Sequence, residues 1–179
     1  MRIPLILALA FIFTGCVSQY KVVVDFSPVL RTHFHEYPTI EVDIAAITDA
    51  EADEIKQMGV ENYFAPGSGT RQQLQTQTVF FYREELHSFV LPSRAPVWFS
   101  WKQKEPTSIL VIASLPHDPS MSEQADPRYL TIPIKKSIVF ARSAYIWVEP
   151  KRIIRVTRAV SKRGESETTQ AAQWVEIRR

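Results

Sequence analysis

Apolar and polar positions alternate along much of this chain with the two-residue spacing that is typical of β-strands. Tyr20–Phe26 is a β-branched run, and residues 39–47 alternate apolar side chains with acidic ones. That second pattern predicts a half-buried strand, with Glu41 and Asp43 on the solvent face. Residues 109–113 are apolar on both faces and predict the most central strand. The remaining predicted strands are 76–82, 96–103, 108–115, 128–134, 144–149 and 153–157.

One segment has helical rather than strand spacing. Thr48 and Glu51 have the spacing of a capping box, Gly59 stands where a helix would end, and apolar residues recur at three-residue intervals between them. The connection 60–75 leaves room for one short further helix at 71–76. The fold class that follows is mainly β: an antiparallel β-sandwich, like those of transthyretin and immunoglobulin domains, with one short helix near 49–58.

The N-terminus has the pattern of an export signal. Residues 3–13 are uncharged and almost wholly apolar, follow the positive charge of Arg2, and are too few to cross a bilayer as a helix. Gly15 and Cys16, the single cysteine, come directly after them. This arrangement resembles the lipobox of bacterial lipoproteins, although Phe13 stands where that family usually has Leu. The resemblance implies cleavage between Gly15 and Cys16 and acylation of Cys16, which would attach the protein to a membrane.

Two other interpretations of this segment remain open, namely a plain secretory signal with a chance cysteine and a buried apolar strand. By analogy with enterobacterial lipoproteins, Val17 after the cysteine, where Asp would direct retention in the inner membrane, favours the outer membrane. The expected organisation is a lipoprotein signal peptide at 1–15, an acylated N-terminus and minimal tether at 16–19, a β-sandwich domain at 20–157, and a basic, polar tail or hairpin at 158–179.

Composition and charge limit the class of protein further. The 179 residues are 45% hydrophobic and 22% charged, which excludes collagen-like, wholly disordered and polytopic membrane proteins. The net charge of +2 decides little, but residues 151–179 contain eight Lys/Arg and three Asp/Glu. Because the export signal argues against a nucleic-acid partner, an anionic lipid surface or an acidic protein face is the expected target of this basic end.

Few residues have the spacing that catalysis or metal binding requires. His33 and His35, next to Glu36, are the best metal-ligand arrangement, but exposed loop or edge positions explain them better, and neither a metal nor a cofactor is expected. A hydrolase that uses Ser68, or a histidine with Asp118 or Asp126, is disfavoured because no base stands at a recognisable spacing. The protein is therefore expected not to be an enzyme.

Aromatic and basic residues give the candidate binding sites. The loop around Tyr63, Phe64 and Arg71 combines aromatic rings with a cation. Its glycines would allow backbone amides to approach an anion, but a turn that leads into a short helix explains them better. On a strand, Trp98 and Trp101 would point to opposite faces, so one is expected in the core and the other is a candidate for partner docking. The candidate partner- or ligand-binding residues are Tyr63, Phe64, Arg71, Trp98 and Trp101.

The order of elements resembles a known family. A strand, an acidic-capped helix, a Pro-Gly loop and strands that end in a basic one are similar to the small outer-membrane lipoprotein of type VI secretion systems. That resemblance implies a transthyretin-like sandwich with an added helix, which tethers the periplasmic part of an inner-membrane subunit to the outer membrane. The expected function is a non-catalytic, periplasm-facing lipoprotein that scaffolds or recruits an envelope protein complex. The alternative is a periplasmic lipoprotein that binds a small ligand or a surface polymer.

Overall fold

Two four-stranded β-sheets pack face to face. The computed structural model describes residues 20–35, 38–82, 87–116, 126–134 and 142–156. The strands are β1 (Tyr20–Phe26), β2 (Ile40–Ile47), β3 (Gln77–Phe81), β4 (Ser88–Leu91), β5 (Ser108–Ala113), β6 (Tyr129–Pro133), β7 (Arg142–Val148) and β8 (Ile153–Val156). The helices are α1 (Pro28–Phe34), α2 (Asp49–Met58), α3 (Val60–Phe64), α4 (Gly69–Gln73) and α5 (Val97–Lys102).

The strands are divided between the two sheets in a mixed order. Sheet A has the order β4-β1-β7-β8, and sheet B has the order β3-β2-β5-β6. All neighbouring strands are antiparallel except β1 and β7, which run parallel with Tyr20 opposite Arg142. This arrangement confirms the predicted β-sandwich, and the parallel pair is a feature that the sequence pattern did not predict.

The core lies between the sheets and is built by the period-two pattern of the strands. Val22 and Val24 of β1 and Val42 and Ile44 of β2 belong to one core cluster, and all four are fully buried. Across the same interface the rings of Phe26 and Phe81 have centroids 4.5 Å apart. β5 is buried along residues 109–113 and lies between β2 and β6, which confirms its predicted central position. Seven of the eight predicted strands are present, and β4 was not predicted.

Helix α2 matches the prediction at both of its ends. The Thr48 hydroxyl accepts a hydrogen bond from the Glu51 amide at 3.3 Å, and the Glu51 carboxylate accepts one from the Thr48 amide at 2.8 Å. The helix ends at Gly59, whose φ of 78° favours glycine. Four further helices are found among the described residues, and of these only α4 overlaps the short helix that the connection was expected to allow.

The prediction of a strand at 96–103 is wrong, because this segment forms α5. Trp98 and Trp101 are three residues apart, so a helix places both on one face, and both are buried. Trp98 Nε1 donates to the Pro92 carbonyl and Trp101 Nε1 to the Gln75 carbonyl, each at 3.0 Å.

Within the part of the chain that the structure describes, no helix is long and apolar enough to cross a membrane.

Candidate functional site

A partly buried ion-pair cluster joins the outer face of sheet B to the helices that cover it. Its centre is Asp43 of β2, which has no exposed surface. The Asp43 carboxylate accepts hydrogen bonds from the Tyr63 hydroxyl at 3.0 Å, from the Thr78 hydroxyl at 2.5 Å and from Arg71 Nε at 2.7 Å. Arg71 Nη2 also donates to the Glu41 carboxylate. The charge of Asp43 is therefore fully compensated inside the protein.

Each member of the cluster is placed by its own element. Alternation along β2 points Glu41 and Asp43 away from the core that Val42 helps to form. Helix α3 supplies Tyr63 and Phe64. Helix α4 supplies Arg71 and is capped by the hydroxyl of Ser68, which accepts from the Arg71 amide at 3.5 Å. The Arg71 guanidinium also lies 5.0 Å from the centre of the Phe64 ring, a cation–π contact.

The electrostatics of the cluster fix the protonation of its donors. Burial lowers the pKa of the Arg71 guanidinium, but hydrogen bonds and charges from Asp43 and Glu41 outweigh it and hold that pKa above its ordinary value. Burial raises the pKa of the Tyr63 hydroxyl well above its ordinary value, and the negative charge of Asp43 raises it further. Tyr63 therefore remains a protonated donor and Arg71 a cation. Their polar atoms serve as a cross-link between sheet B and the helices.

Part of this cluster is predictable from the sequence. Tyr63, Phe64 and Arg71 were grouped as one candidate site, and the structure brings all three together. Asp43 was expected on a solvated strand face, and that expectation is wrong because α3 and α4 cover this face. The signal in the sequence is the spacing of Glu41 and Asp43, which puts two carboxylates on one strand face, where Arg71 bridges them. Nothing in the local sequence marked Thr78 as a third donor.

A second ion cluster lies where β6 begins. Arg128 is 4% exposed, and it donates through Nη2 to the Asp126 carboxylate at 2.5 Å and through Nη1 to the Leu115 carbonyl at 3.3 Å. Arg128 Nη1 is also 2.6 Å from the Glu61 carboxylate of α3. Hydrogen bonding to Asp126 raises the pKa of Arg128 above its ordinary value. Asp126, the possible catalytic partner in the hydrolase alternative, is thus held in an ion pair, and Asp118 lies outside the described residues.

The two candidate tryptophans are side by side in the interior. Trp98 is 7% exposed, Trp101 is fully buried, and their rings meet edge to face with centroids 5.0 Å apart. Packing and the two indole hydrogen bonds account for both residues. The aromatic residue that α5 presents to solvent is Phe99, which is 73% exposed and was not singled out from the sequence.

The two histidines of the candidate metal site lie among the residues that the structure describes, and the lipidation site does not. His33 lies in α1 and His35 at its C-terminal end, where φ is 64°, and both are exposed. Glu36 lies outside the described residues. Among the residues that the structure does describe, no three ligand-type side chains are grouped to hold a metal ion. Gly15 and Cys16 also lie outside the described residues, so cleavage and acylation there stay predictions.

A small cavity lies beside the end of α1 and the start of β2. Its volume is about 320 Å³. Apolar and hydroxyl side chains form its walls, and neither Tyr63 nor Arg71 contributes to it. The lining residues are Phe34, Pro38, Thr39, Ile40, Ser114, Leu115 and Pro116.

Among solved structures, proteins of type VI secretion systems have a similar fold. A structure of Serratia marcescens Lip, a membrane-bound component of the type VI secretion system, matches 79% of this chain and 98% of its own, with a TM-score of 0.50 and 13% identity. A chain in the structure of the C-terminal domain of the type VI protein TssM from EAEC matches 76% of this chain and 99% of its own, with a TM-score of 0.53 and 9% identity. The fold of this chain resembles that of the type VI secretion lipoproteins.

The structure of the type VI lipoprotein TssJ1 from Pseudomonas aeruginosa matches 78% of this chain and 95% of its own, with a TM-score of 0.41 and 8% identity. No protein-family model matches the sequence, and no curated protein matches it. The likeness to the type VI secretion lipoproteins is therefore one of fold, and it confirms the resemblance that the order of elements predicted.

Proposed function

We propose that this protein is a non-catalytic lipoprotein, anchored in the outer membrane through Cys16, that scaffolds or recruits an envelope protein complex of the type VI secretion kind. The observation that carries the proposal is the fold. The sandwich matches 98% of a chain that is a membrane-bound component of such a system. Fold alone does not determine function, so support for the membrane anchor comes from the sequence around Cys16.

The sequence supports an anchor very close to the folded domain. Cys16 follows Gly15 in a lipobox-like arrangement, and β1 begins at Tyr20. An extended chain from Cys16 to Tyr20 spans at most about 14 Å, so acyl chains on Cys16 would hold β1 near the bilayer surface. Several acyl chains give stable anchoring, whereas one chain alone binds only marginally.

The charged interior supports a scaffolding rather than a catalytic role. The donors around Asp43 are directed at that carboxylate, and Arg128 is directed at Asp126 and Glu61. Such closed ion pairs fix the position of helices on a sheet, which suits a domain that must present a constant surface to a partner. A nucleophile or acid–base group would instead need a free side that faces a substrate.

The ligand-binding alternative has one observation in its favour, which is the cavity of about 320 Å³ beside α1. This volume is at the lower end of the range for small-molecule sites, about 300–1,000 Å³. Its lining contains no charged side chain, and the predicted ligand loop at Tyr63, Phe64 and Arg71 is not part of it. We therefore rank this function second.

The anchor is tested in cells that express the full-length chain, a Cys16→Ser variant and a matched Ser18→Ala control. Outer and inner membranes are separated, and the N-terminal peptide of the mature protein is analysed by mass spectrometry. We expect the unaltered chain and the Ser18→Ala control to begin at acylated Cys16 in the outer membrane, and Cys16→Ser to lose that location. An unmodified Cys16 with the protein free in the periplasm would contradict the proposal.

The scaffolding role is tested by chemical crosslinking in the same cells. We expect the unaltered chain to crosslink to an envelope protein with a periplasmic domain, and the yield to fall in Cys16→Ser cells because the anchor no longer concentrates the two proteins at one membrane. If the acylated, outer-membrane protein crosslinks to no envelope protein, the anchor is correct and the scaffolding role is wrong.

A further inference from the structure

Several strand ends meet at the end of the sandwich where β1 begins. Leu91, the last residue of β4, is opposite Val22 of β1. The Tyr20 hydroxyl donates to the Pro133 carbonyl at 3.5 Å, and Pro133 is opposite Ser108, the first residue of β5. We call this the β1-start end of the sandwich. Cys16 precedes it by only four residues.

Helix α5 lies at the β1-start end. The chain leaves β4 after Leu91, forms α5 and enters β5 at Ser108, so the helix bridges from sheet A to sheet B. The indole hydrogen bonds attach it on both sides, since Trp98 binds the Pro92 carbonyl next to β4 and Trp101 binds the Gln75 carbonyl just before β3. The position of α5 at this end is therefore fixed by its two buried tryptophans.

The outer side of α5 presents an apolar ring to solvent. With Trp98 and Trp101 on the inner side, Phe99 points outward and is 73% exposed. It is the most exposed of the large hydrophobic residues that the structure describes; the others are Val29 at 54%, Tyr82 at 46% and Val90 at 36%. Packing of α5 does not explain an apolar residue at position 99, because Trp98 and Trp101 on the inner side make the contacts with the core.

The charged residues near Phe99 have both signs. Arg94 and Lys102 are exposed and lie in the same segment, one before and one after the ring. Of the acidic groups at this end, Asp49 accepts from the Thr107 hydroxyl at 2.7 Å and Glu51 from Lys104 at 3.2 Å, and Glu105 is exposed.

We propose that Phe99, together with Arg94, contacts the phospholipid surface of the bilayer in which Cys16 is anchored. This inference rests on the proposed function, because the anchor is what brings the β1-start end to the membrane. A Phe ring can insert at the boundary between headgroups and acyl chains, and the exposed Arg94 side chain is attracted to anionic headgroups. The lipid-facing surface is then the outer side of α5, which orients the whole domain on the membrane.

The test uses the thiol chemistry of the chain. Cys16 is the only cysteine, and its sulfur is unreactive once acylated. A Phe99→Cys variant therefore accepts a fluorescent label at one position, and Val29→Cys is the matched control, since Val29 is also exposed but follows the opposite end of β1. The acylated full chains are reconstituted in vesicles of phosphatidylethanolamine and phosphatidylglycerol. Quenching by nitroxide lipids and by aqueous iodide is then compared at the two labels.

We expect the label at 99 to be quenched by nitroxide lipids and to be several-fold less accessible to iodide than the label at 29. Equal access of iodide to both labels on vesicles that carry the protein overturns the inference and leaves the anchor intact. Failure of the unaltered chain to float with the vesicles contradicts the proposed function, and the inference then fails with it. Shielding of position 99 that persists in the non-acylated Cys16→Ser form, without vesicles or detergent, also overturns it, because lipid is then not the cause.

Discussion

At the scale of single residues, a carboxylate with no exposed surface is stable only where donors replace its lost water. Asp43 has three such donors, from a tyrosine, a threonine and an arginine on three different elements. Removing any one of them leaves part of a buried charge uncompensated. Substitution of any one of these donors is therefore expected to lower the stability of the whole domain.

Tyr63 makes the stability of the protein sensitive to alkaline pH. Burial and the charge of Asp43 raise its pKa in the folded state, while the unfolded chain ionises it at its ordinary value of about 10. Its contribution is complete below pH 10 and is lost as the pH rises further. We expect the free energy of unfolding to fall by up to about 1.4 kcal/mol per pH unit above pH 10 through this residue.

The measurement is urea unfolding at a series of pH values, with Tyr63→Phe compared with the unaltered chain. Tyr63→Phe lowers stability at neutral pH, because Asp43 loses a donor, and it has the shallower decline above pH 10. Tyr82→Phe is the control, since Tyr82 is 46% exposed. Parallel pH profiles for the unaltered chain and Tyr63→Phe would rule out the explanation.

At the scale of elements, the start of α2 depends on two reciprocal hydrogen bonds between Thr48 and Glu51. Thr48→Ala removes the acceptor of the Glu51 amide, and we expect a loss of about 1 kcal/mol in the free energy of unfolding. Hydrogen exchange should quicken in the first turn of α2. Thr32→Ala, at an exposed position inside α1, is the control and should change little. Unchanged exchange in α2 would show that its packing alone fixes the helix start.

Local chemistry determined which elements could be predicted. The capping box of α2 and the alternation of β2 are complete within a few residues, so the sequence alone was sufficient for both. The segment that forms α5 contains aromatic residues that suit a strand, yet Trp98 and Trp101 also fit one face of a helix. The helix is favoured over the strand by the two indole hydrogen bonds, to the carbonyls of Pro92 and Gln75. Because Gln75 is far from Trp101 along the chain, no local sequence pattern shows the second of these bonds.

The candidate site was partly predictable for a similar reason. Tyr63, Phe64 and Arg71 are near neighbours in the chain, so their grouping needed only a short connection. Asp43 is 28 residues from Arg71, and nothing local shows that helices cover its face of sheet B. The start of α1, by contrast, has a local signal in the sequence. Ser27 caps the helix by accepting a hydrogen bond from the Val29 amide, and Pro28 occupies the first turn.

At the scale of the whole molecule, the two sheets share one core, so neither is expected to be stable without the other. Sheet A contributes Phe26 from β1 and sheet B contributes Phe81 from β3, and their rings are 4.5 Å apart with an angle of 32° between the planes. Phe81 is fully buried and Phe26 is 6% exposed. This contact links one strand of each sheet directly across the interface.

We expect Phe81→Ala to lower the free energy of unfolding by about 3–5 kcal/mol, because it leaves a cavity between the sheets. Tyr82→Ala, the neighbouring aromatic position with 46% exposure, is the control and should cost much less. A double-mutant cycle with Phe26→Ala should give a coupling of about 0.5–1.5 kcal/mol between the rings. If the sandwich is one cooperative unit, fluorescence and circular dichroism report the same transition in every variant. Two separate transitions in Phe81→Ala would instead mean that the sheets unfold independently.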